Sequence, residues 1–289
     1  MRNQMTDIEM LGKLVCQLSP NLSFTMLEIG ALPIDGQEEP FHKLLDIFPK
    51  SRVIAFEVDE VLCRDLNEKS KPNIKYFPMA LGLADGDQTF YETAHQMCCS
   101  LYKPNEPLLS KYNAMDVAML KSSSSIKTMS LDSFIHNNDI GSIDFIKIDV
   151  QGAELDVFKG GVKALQNVVL IVSEVEFIPL YVDQPLFGDV CHYLADKDMM
   201  FHKFLGMAGR ALRPLVVQND INFATQHMWS DAVFIKDINK ISTLSSDSLL
   251  KLGILGFMYG SFDITFHCFQ IYDKRENTTL HQEYLRLGT

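Results

Sequence analysis

Two periodicities alternate along this chain. Residues 4–18 repeat apolar side chains at helical spacing and stop before Ser19-Pro20. "FTMLEIG" (24–30) is a short apolar strand closed by Gly30, and "GQEEPFHKLLDIFP" (36–49) places Phe41, Leu44, Leu45 and Phe48 on one helical face, with Pro40 in its first turn. "RVIAFEVD" (52–59) is a second strand, followed by helical "EVLCRDLNEKS" (60–70). "IKYFPMALG" (74–82) is a third strand, leading through the turn "LADGD" into extended "QTFYETA" (88–94). Pro104, Pro107 and the tract "SSSS" (122–125) predict a loop region over 95–125 with one short helix.

"IKTMSLDSFI" (126–135) opens another unit, and "DFIKIDV" (144–150) is a strand whose Phe145, Ile146, Ile148 and Val150 look buried. Helical "GAELDVFKGGVKAL" (152–165), strand "VVLIVSEVEF" (168–177), helical "LFGDVCHYLADKD" (186–198) and strands near 200–206, 210–217 and 230–236 follow. Strands alternating with helices predict an α/β protein with a mostly parallel, doubly wound sheet and helices on both faces. Right-handed crossovers then place the ligand crevice at the carboxyl ends of the strands.

After Asp237 the texture changes. "SLLKLGILGFMYGSFDITFHCFQIYDKRE" reads as two helices hinged at Tyr259-Gly260-Ser261, a C-terminal hairpin like a single tetratricopeptide-style pair. The expected division is an N-terminal helix (1–22), the α/β domain (23–238) and the hairpin (239–289). Leu249, Leu250, Leu252, Ile254, Leu255, Phe262, Ile264, Phe266 and Phe269 exceed what one buried helix face requires. They must cover the main domain or meet another subunit, and a homodimer is expected on that ground.

Composition narrows the class. Hydrophobic content of 47% and charged content of 22% are those of a soluble globular chain with material for a core. No apolar run is long enough to span a bilayer, and "MRNQMTDIEMLGKLVCQLSP" is too polar for a signal peptide, so a cytoplasmic protein is expected. Against 26 basic residues stand 37 acidic ones, a net charge of −11 with no basic cluster, which argues against a nucleic-acid partner. Cys16, Cys63, Cys98, Cys99, Cys191 and Cys268 form no C-x-x-C pair and read as free thiols.

Chemistry gathers at the strand ends. The first strand ends in Glu28 and Gly30, and the second in Glu57. A glycine there admits a ligand close to the backbone, and an acid ending the next strand can accept hydrogen bonds from both hydroxyls of a ribose. No G-x-G-x-x-G follows the first strand, which weakens a dehydrogenase reading, and Glu28 would repel a pyrophosphate. A cationic adenosine cofactor fits better, and S-adenosyl-L-methionine carries a sulfonium and an ammonium.

"DFIKIDVQGAELDVFKGG" (144–161) closely resembles the signature of the FkbM family of S-adenosylmethionine-dependent methyltransferases. The resemblance runs collinearly through "LEIGALPIDG", "VIAFEVD", "ALGLADGDQTFYET", "CSLYKPN", "TMSLDSF", "LIVSEVEFIPLY" and "WSDAVFIKD", about residues 25 to 237. It implies the class I methyltransferase fold, a Rossmann-like seven-stranded sheet with its last strand inserted antiparallel, and methyl transfer to a hydroxyl oxygen. Carried over by position, Glu28, Gly30 and the adjoining Ala31 match the first cofactor motif, Glu57 and Val58 the ribose-binding turn, and Ala80, Leu81 and Gly82 the passage beside the adenine. Asp149 matches the acid after the fourth core strand. The family's Gly-Ala-Asn is replaced by Gly30-Ala31-Leu32-Pro33 with an insertion, which alters the pocket for the methionine end.

Asp149 is the first candidate for catalysis, facing the cofactor's positive end and taking the acceptor's proton; a helix cap is its plain alternative. Glu154 either favours the dipole of the next helix or contacts substrate. Glu174 and Glu176 point to one side of the sheet, as an acceptor site or, with His95 and Asp149, as metal ligands, although no metal is expected. His95 is a candidate general base or a solvent-exposed loop residue, and Trp229 reads as packing. The function expected is O-methylation of a sugar, a lipid-linked saccharide or a natural-product hydroxyl. The competing reading is a non-catalytic scaffold that keeps the fold and binds a partner through the hairpin.

Overall fold

The computed structural model describes residues 4–33 and 39–287. Helix α1 (Gln4–Leu18) precedes strand β1 (Thr25–Ile29), helix α2 (Leu44–Ile47), strand β2 (Arg52–Glu57), helix α3 (Glu60–Lys69) and strands β3 (Ile74–Pro78), β4 (Ala80–Gly82) and β5 (Gly86–Thr93). Helix α4 (Glu106–Leu109), strand β6 (Leu120–Ser130), helix α5 (Leu131–Asn137), strand β7 (Phe145–Ile148), helix α6 (Glu154–Gly160), strand β8 (Leu170–Glu176) and helix α7 (Phe187–Ala195) follow. Strands β9 (Met199–Phe204), β10 (Ala208–Arg210) and β11 (Gln226–Lys236) close the sheet, and helices α8 (Ser246–Met258), α9 (Phe262–Glu276) and α10 (Leu280–Arg286) end the described chain.

Sheet order runs β3-β2-β1-β7-β8-β11, with β9 and the three-residue β10 both on the outer edge of β11. The first five strands are mutually parallel and β11 is antiparallel to β8, as the expected inserted last strand. With β10 the sheet has eight strands, one more than expected. Alternation sends successive side chains to two separate cores. Met26, Val53, Phe145, Val172 and Val233 face α1, α2, α3, α8 and α9, whereas Leu27, Ile54, Phe56, Ile146, Ile148 and Ile171 face α5, α6 and α7.

Several expectations are corrected. The run 74–82 breaks at Met79, because Pro78 ends the ladder without an N–H and β4 departs to a second sheet, ordered β4-β6-β5. The serine tract lies inside β6 rather than in a loop, since Ser122–Ser125 pair with Thr89–Glu92 of β5 and the ladder supplies what serine's weak strand preference does not. No strand spans 210–217: Pro214 offers no N–H, and the chain makes only isolated bridges at Leu212 and Val217. The helix expected over 36–49 is a 3-10 turn (Pro40–Lys43) followed by α2, and its start at 36–38 lies outside the described residues. Gly160 and Gly161 end α6 early, leaving a 3-10 turn at Ala164–Gln166.

The hairpin is docked, not dangling. Leu249, Leu250, Leu252, Ile254, Leu255 and Phe269 are fully buried in the core shared with Met26, Phe145 and Val172, while Phe262 stays 40% exposed. Gly253 lets the Phe269 ring lie where a Cβ would come within 2.5 Å of it. Lys251 Nζ donates to Asp144 Oδ1 at 2.8 Å, and Asp144 Oδ2 accepts from the Thr25 N–H at 2.8 Å, tying α8 to the starts of β7 and β1. The apolar surplus that motivated a homodimer is thus mostly covered within one chain. A third helix, α10, was not anticipated, and its Leu280 and Tyr284 complete the same core.

Truncating Leu250 to Ala should lower the unfolding free energy by about 2–5 kcal/mol. Urea denaturation followed by both near- and far-ultraviolet dichroism should keep one coincident transition. A separate early transition for the helices, with the sheet unaffected, would show that the hairpin folds independently.

Candidate active site

The carboxyl ends of β1, β2 and β7 open onto a cavity of about 670 Å³, within the range of small-molecule sites. Glu28, Gly30, Glu57, Val58, Ala80, Leu81 and Asp149 all line it. Its far wall is the second sheet, through Phe90, Glu92, Ser124, Ser125 and Ile126. That wall has no local signal in the sequence, since the serine tract gains its strand only by pairing with β5.

Gly30 is dictated by space and conformation. Its φ is +80°, and a Cβ there would sit 1.8 Å from the Asp149 carbonyl oxygen. Gly30 and Ala31 both donate backbone N–H groups to Phe56 O, at 3.1 and 2.9 Å, while the Asp149 N–H donates to Ile29 O at 2.9 Å. Ala31 is buried behind the wall and does not line the cavity.

Glu57 Oε1 accepts the N–H groups of Val58 and Asp59 at 2.8 and 3.1 Å. Oε2 makes no hydrogen bond among the described residues. Burial raises the Glu57 carboxyl above its ordinary range, against the lowering effect of the two N–H bonds. Asp59 caps α3 by accepting from Val61 and Leu62, which fixes the turn carrying Glu57. Glu28 is taken by His42, whose Nε2 lies 2.8 Å from Glu28 Oε2. His42 comes from the 3-10 turn before α2 and was not anticipated.

Asp149 stands at the end of β7 with its Oδ1 accepting from Gln151 Nε2 at 2.8 Å. The same nitrogen donates to Glu174 Oε2 at 2.5 Å, and Gln151 Oε1 lies 2.9 Å from the Tyr181 hydroxyl, which is also 2.9 Å from the Cys98 carbonyl. Glu174 does not line the cavity and sits behind Asp149 and Gln151, which do. Burial and then the Asp149 charge push the Glu174 carboxyl well above its ordinary range. Glu176 is raised well above its range by burial and then by Glu154.

Glu154 is buried at the start of α6, its Oε1 accepting from the Val150 and Gly152 N–H groups at 2.8 and 3.3 Å. Carboxylate oxygens of Asp149, Glu154 and Glu174 lie within 4.8 Å of one another. The amide of Gln151 already bridges two of the three. His95 is exposed, does not line the cavity, and caps the 3-10 turn Gln96–Cys98 by accepting from the Met97 N–H at 3.3 Å. Trp229 packs beside Tyr112, Tyr181 and Met228, under the Arg210 guanidinium at 5.1 Å. Cys98 is no reactive thiol, since burial pushes it up to about 11.

Sequence reasoning alone misses Lys147, which lies inside the signature stretch 144–161. It lines the cavity, two residues before Asp149 and on the same side of β7. Its Nζ donates to Asp231 Oδ1 at 3.0 Å. Burial works against the ammonium, but Asp149, Asp231 and Glu39 outweigh it and hold the lysine above its ordinary range.

An antiparallel strand inserted next to the edge of a doubly wound sheet, with the glycine and acids of β1, β2 and β7 around one crevice, defines the class I methyltransferase fold. The chain belongs to the FkbM methyltransferase family, whose domain model, "Methyltransferase FkbM domain", matches residues 28–201. It is 29% identical over 129 residues to the hexuronic acid methyltransferase AglP of Haloferax volcanii, covering 44% of this chain and 48% of that protein. It is also 28% identical over 171 residues to the 2-O-methyltransferase NoeI of Sinorhizobium fredii, covering 56% of this chain and 65% of the relative. The chain thus spans about half to two-thirds of the curated relatives it matches. The family implies a methyl donor. Among the described residues no helix is long and apolar enough to cross a membrane.

The buried acids set a pH dependence of stability. Burial raises Glu154 from its ordinary 4.5 to about 7, so the folded state keeps a proton that the unfolded chain releases between those values. Its contribution therefore favours folding most at the acid side of that window, and stability is lost as the pH rises towards about 7. Glu154→Gln keeps the acceptor for the Val150 N–H and does not titrate. Its stability, measured by urea unfolding across this window, should fall less steeply than the parent's. The slope should persist in part, because Glu174 and Glu176 still titrate. An unaltered slope would show that Glu154 carries no raised pKa.

Proposed function

We propose that the protein is an S-adenosyl-L-methionine-dependent O-methyltransferase acting on a saccharide hydroxyl. The observation that carries this reading is the grouping of Gly30, Glu57 and Asp149 around one cavity at the strand ends. The residues present fit the donor. Gly30 brings bare backbone to the cavity wall, and Glu57 offers an oxygen with no partner among the described residues. Six carboxylates line the cavity, from Glu28, Glu39, Glu57, Asp59, Glu92 and Asp149, an environment that favours a cationic ligand over a phosphate.

The donor, when bound, supplies a methyl carbon already activated by its sulfonium. The chain's residues then have two tasks, alignment of the acceptor oxygen and removal of its proton. Asp149 lines the cavity at the end of β7 and is the carboxylate we assign to the second task. Gln151 Nε2 holds its Oδ1 by a hydrogen bond, and the Glu174 carboxyl lies within hydrogen-bond reach of it. The serines of β6 and Glu92 form the opposite wall and supply polar groups suited to sugar hydroxyls. An oxygen acceptor is supported by the 2-O-methyltransferase relative, and a saccharide by the hexuronic acid methyltransferase.

Glu57→Ala should weaken S-adenosylmethionine binding at least about tenfold in calorimetry with the dichroism spectrum retained, because charge-assisted bonds of about 1.5–3 kcal/mol each are lost. Unchanged affinity would move the ribose elsewhere. Asp149→Asn keeps the shape and removes the basicity. Turnover in a radiolabelled methyl-transfer assay should fall about 10²–10⁴-fold with donor affinity little altered. Parent-like turnover in that variant would reduce Asp149 to a structural residue.

A further inference from the structure

The turn after β7 is gripped by a side chain that has no role in the reading above. Tyr181, in the segment between β8 and α7, is buried at 2% exposure. Its hydroxyl lies 2.9 Å from both Gln151 Oε1 and the Cys98 carbonyl oxygen, one proton between two acceptors. At its other end the Gln151 amide uses both of its hydrogens, on Asp149 Oδ1 at 2.8 Å and Glu174 Oε2 at 2.5 Å. A glutamine amide is nearly symmetric in shape, so its neighbours decide which end faces which way. An ionised Asp149 only accepts, so the nitrogen must face it, and the oxygen needs a donor on the far side. Tyr181 is that donor.

The backbone around this contact is built to keep it. Gln151 holds a left-handed φ of +56°, a strained conformation for a residue with a Cβ. Its carbonyl oxygen accepts from Ser100 Oγ at 2.7 Å, and Ser100 pairs with Tyr91 of β5 through two backbone hydrogen bonds of 2.8 and 3.1 Å. At Gly152 a Cβ would meet the Tyr181 ring at 3.3 Å, so the glycine lets the ring lie against the turn. Gln184 Oε1 accepts the Tyr181 N–H at 2.6 Å and fixes the other side. Tyr181 does not line the cavity, so any effect on chemistry must pass through Gln151, which does. We propose that Tyr181 is a positioning residue for methyl transfer: it orients the Gln151 amide so that its nitrogen stays on Asp149 and holds the proton-accepting carboxylate in place. The inference rests on the reading of Asp149 above.

The test is a double-mutant cycle on the full chain with two readouts. The first needs neither donor nor acceptor: solvent exchange of the Gln151 side-chain NH2, followed by magnetic resonance in protein carrying isotope-labelled glutamine. Tyr181→Phe deletes one oxygen and should speed that exchange severalfold. The second readout is kcat for radiolabelled methyl transfer to methyl glycosides and methyl hexuronides. Tyr181→Phe should lower kcat about threefold to tenfold, and Gln151→Ala at least as much, with donor affinity in calorimetry unchanged. The double variant should be no slower than Gln151→Ala alone, because Tyr181 acts only through that amide. Tyr102→Phe, which deletes a hydroxyl bonded instead to Asp156 Oδ2 at 2.9 Å, should leave kcat and the Gln151 exchange as in the parent. Additive losses in the cycle, parent-like exchange in Tyr181→Phe, or an equal loss in Tyr102→Phe would each overturn the proposal. Should Gln151→Ala fail to fold, the exchange and kcat of Tyr181→Phe against Tyr102→Phe still decide. Parent-like turnover in Asp149→Asn beside fast exchange in Tyr181→Phe would sink the reading of Asp149 rather than the grip on Gln151.

Discussion

The site depends on how closely β1 and β7 approach at their carboxyl ends. At Gly30 the backbone of one strand passes so near the Asp149 carbonyl of the other that no side chain fits between them. Hydrogen bonds hold β1 from both sides there: Gly30 and Ala31 reach Phe56 O, while Asp149 reaches Ile29 O. Just beyond that point the chain leaves β1 for one flank of the sheet and returns to the other, which opens a crevice in a doubly wound fold. Glu57 on one flank and Asp149 on the other are spaced by that contact. A methyl group added at residue 30 would displace the carbonyl beside it and the carboxylate that follows.

Beneath the crevice the chain buries more carboxyl groups than it can pair with cations. Asp149, Glu154, Glu174 and Glu176 gather there, and ionising all four in a poorly solvated space would be prohibitive. Two devices relieve the repulsion. Burial raises the carboxyls of Glu174 and Glu176 well above their ordinary range, which favours their neutral forms, and backbone N–H groups satisfy Glu154. Gln151 supplies the third connection, an uncharged donor bridging Asp149 and Glu174 where a cation would otherwise be wanted. Gln151 adopts a left-handed φ of +56°, and its side-chain Oε1 accepts from the Tyr181 hydroxyl. Two strand ends and the turn after β7 therefore cooperate to present Asp149 to the cavity.

What could be read from the chain, and what could not, follows the range of the interactions. Strand ends such as Leu27-Glu28-Ile29-Gly30 and Phe56-Glu57 declare themselves locally, because alternation breaks there for a polar or glycine residue. Ser122–Ser125 carry no such local signal; their strand exists because β5 lies alongside. The packing of α8 and α9 is likewise non-local. Their apolar content demanded a cover, but only the folded chain shows that Met26, Phe145 and Val172 provide it. Lys147 is legible in the sequence: alternation from Asp149 puts it on the cavity side, and a lysine inside a buried parallel strand is rarely mere packing. For His95 the residue type suggested chemistry that its exposed, capping position does not favour.

The sheet's two faces diverge as they near the crevice. On one side Leu27, Ile29, Ile54, Phe56, Ile146 and Ile148 stay apolar to the strand ends, and α5, α6 and α7 seal them. On the other, alternation brings up Glu28, Glu57, Lys147, Asp149, Glu174 and Asp231 in place of the Met26 and Phe145 layer. An apolar helix covers the second layer well and the first badly. Helix α8 crosses accordingly: Lys251 meets Asp144 at the amino end of β7, and two turns later the helix ends at Tyr259, whose ring lies on Phe145. From there onward no hydrophobic cover could be extended without burying unpaired charge. The polar end of this face is therefore left to a ligand that brings charges of its own.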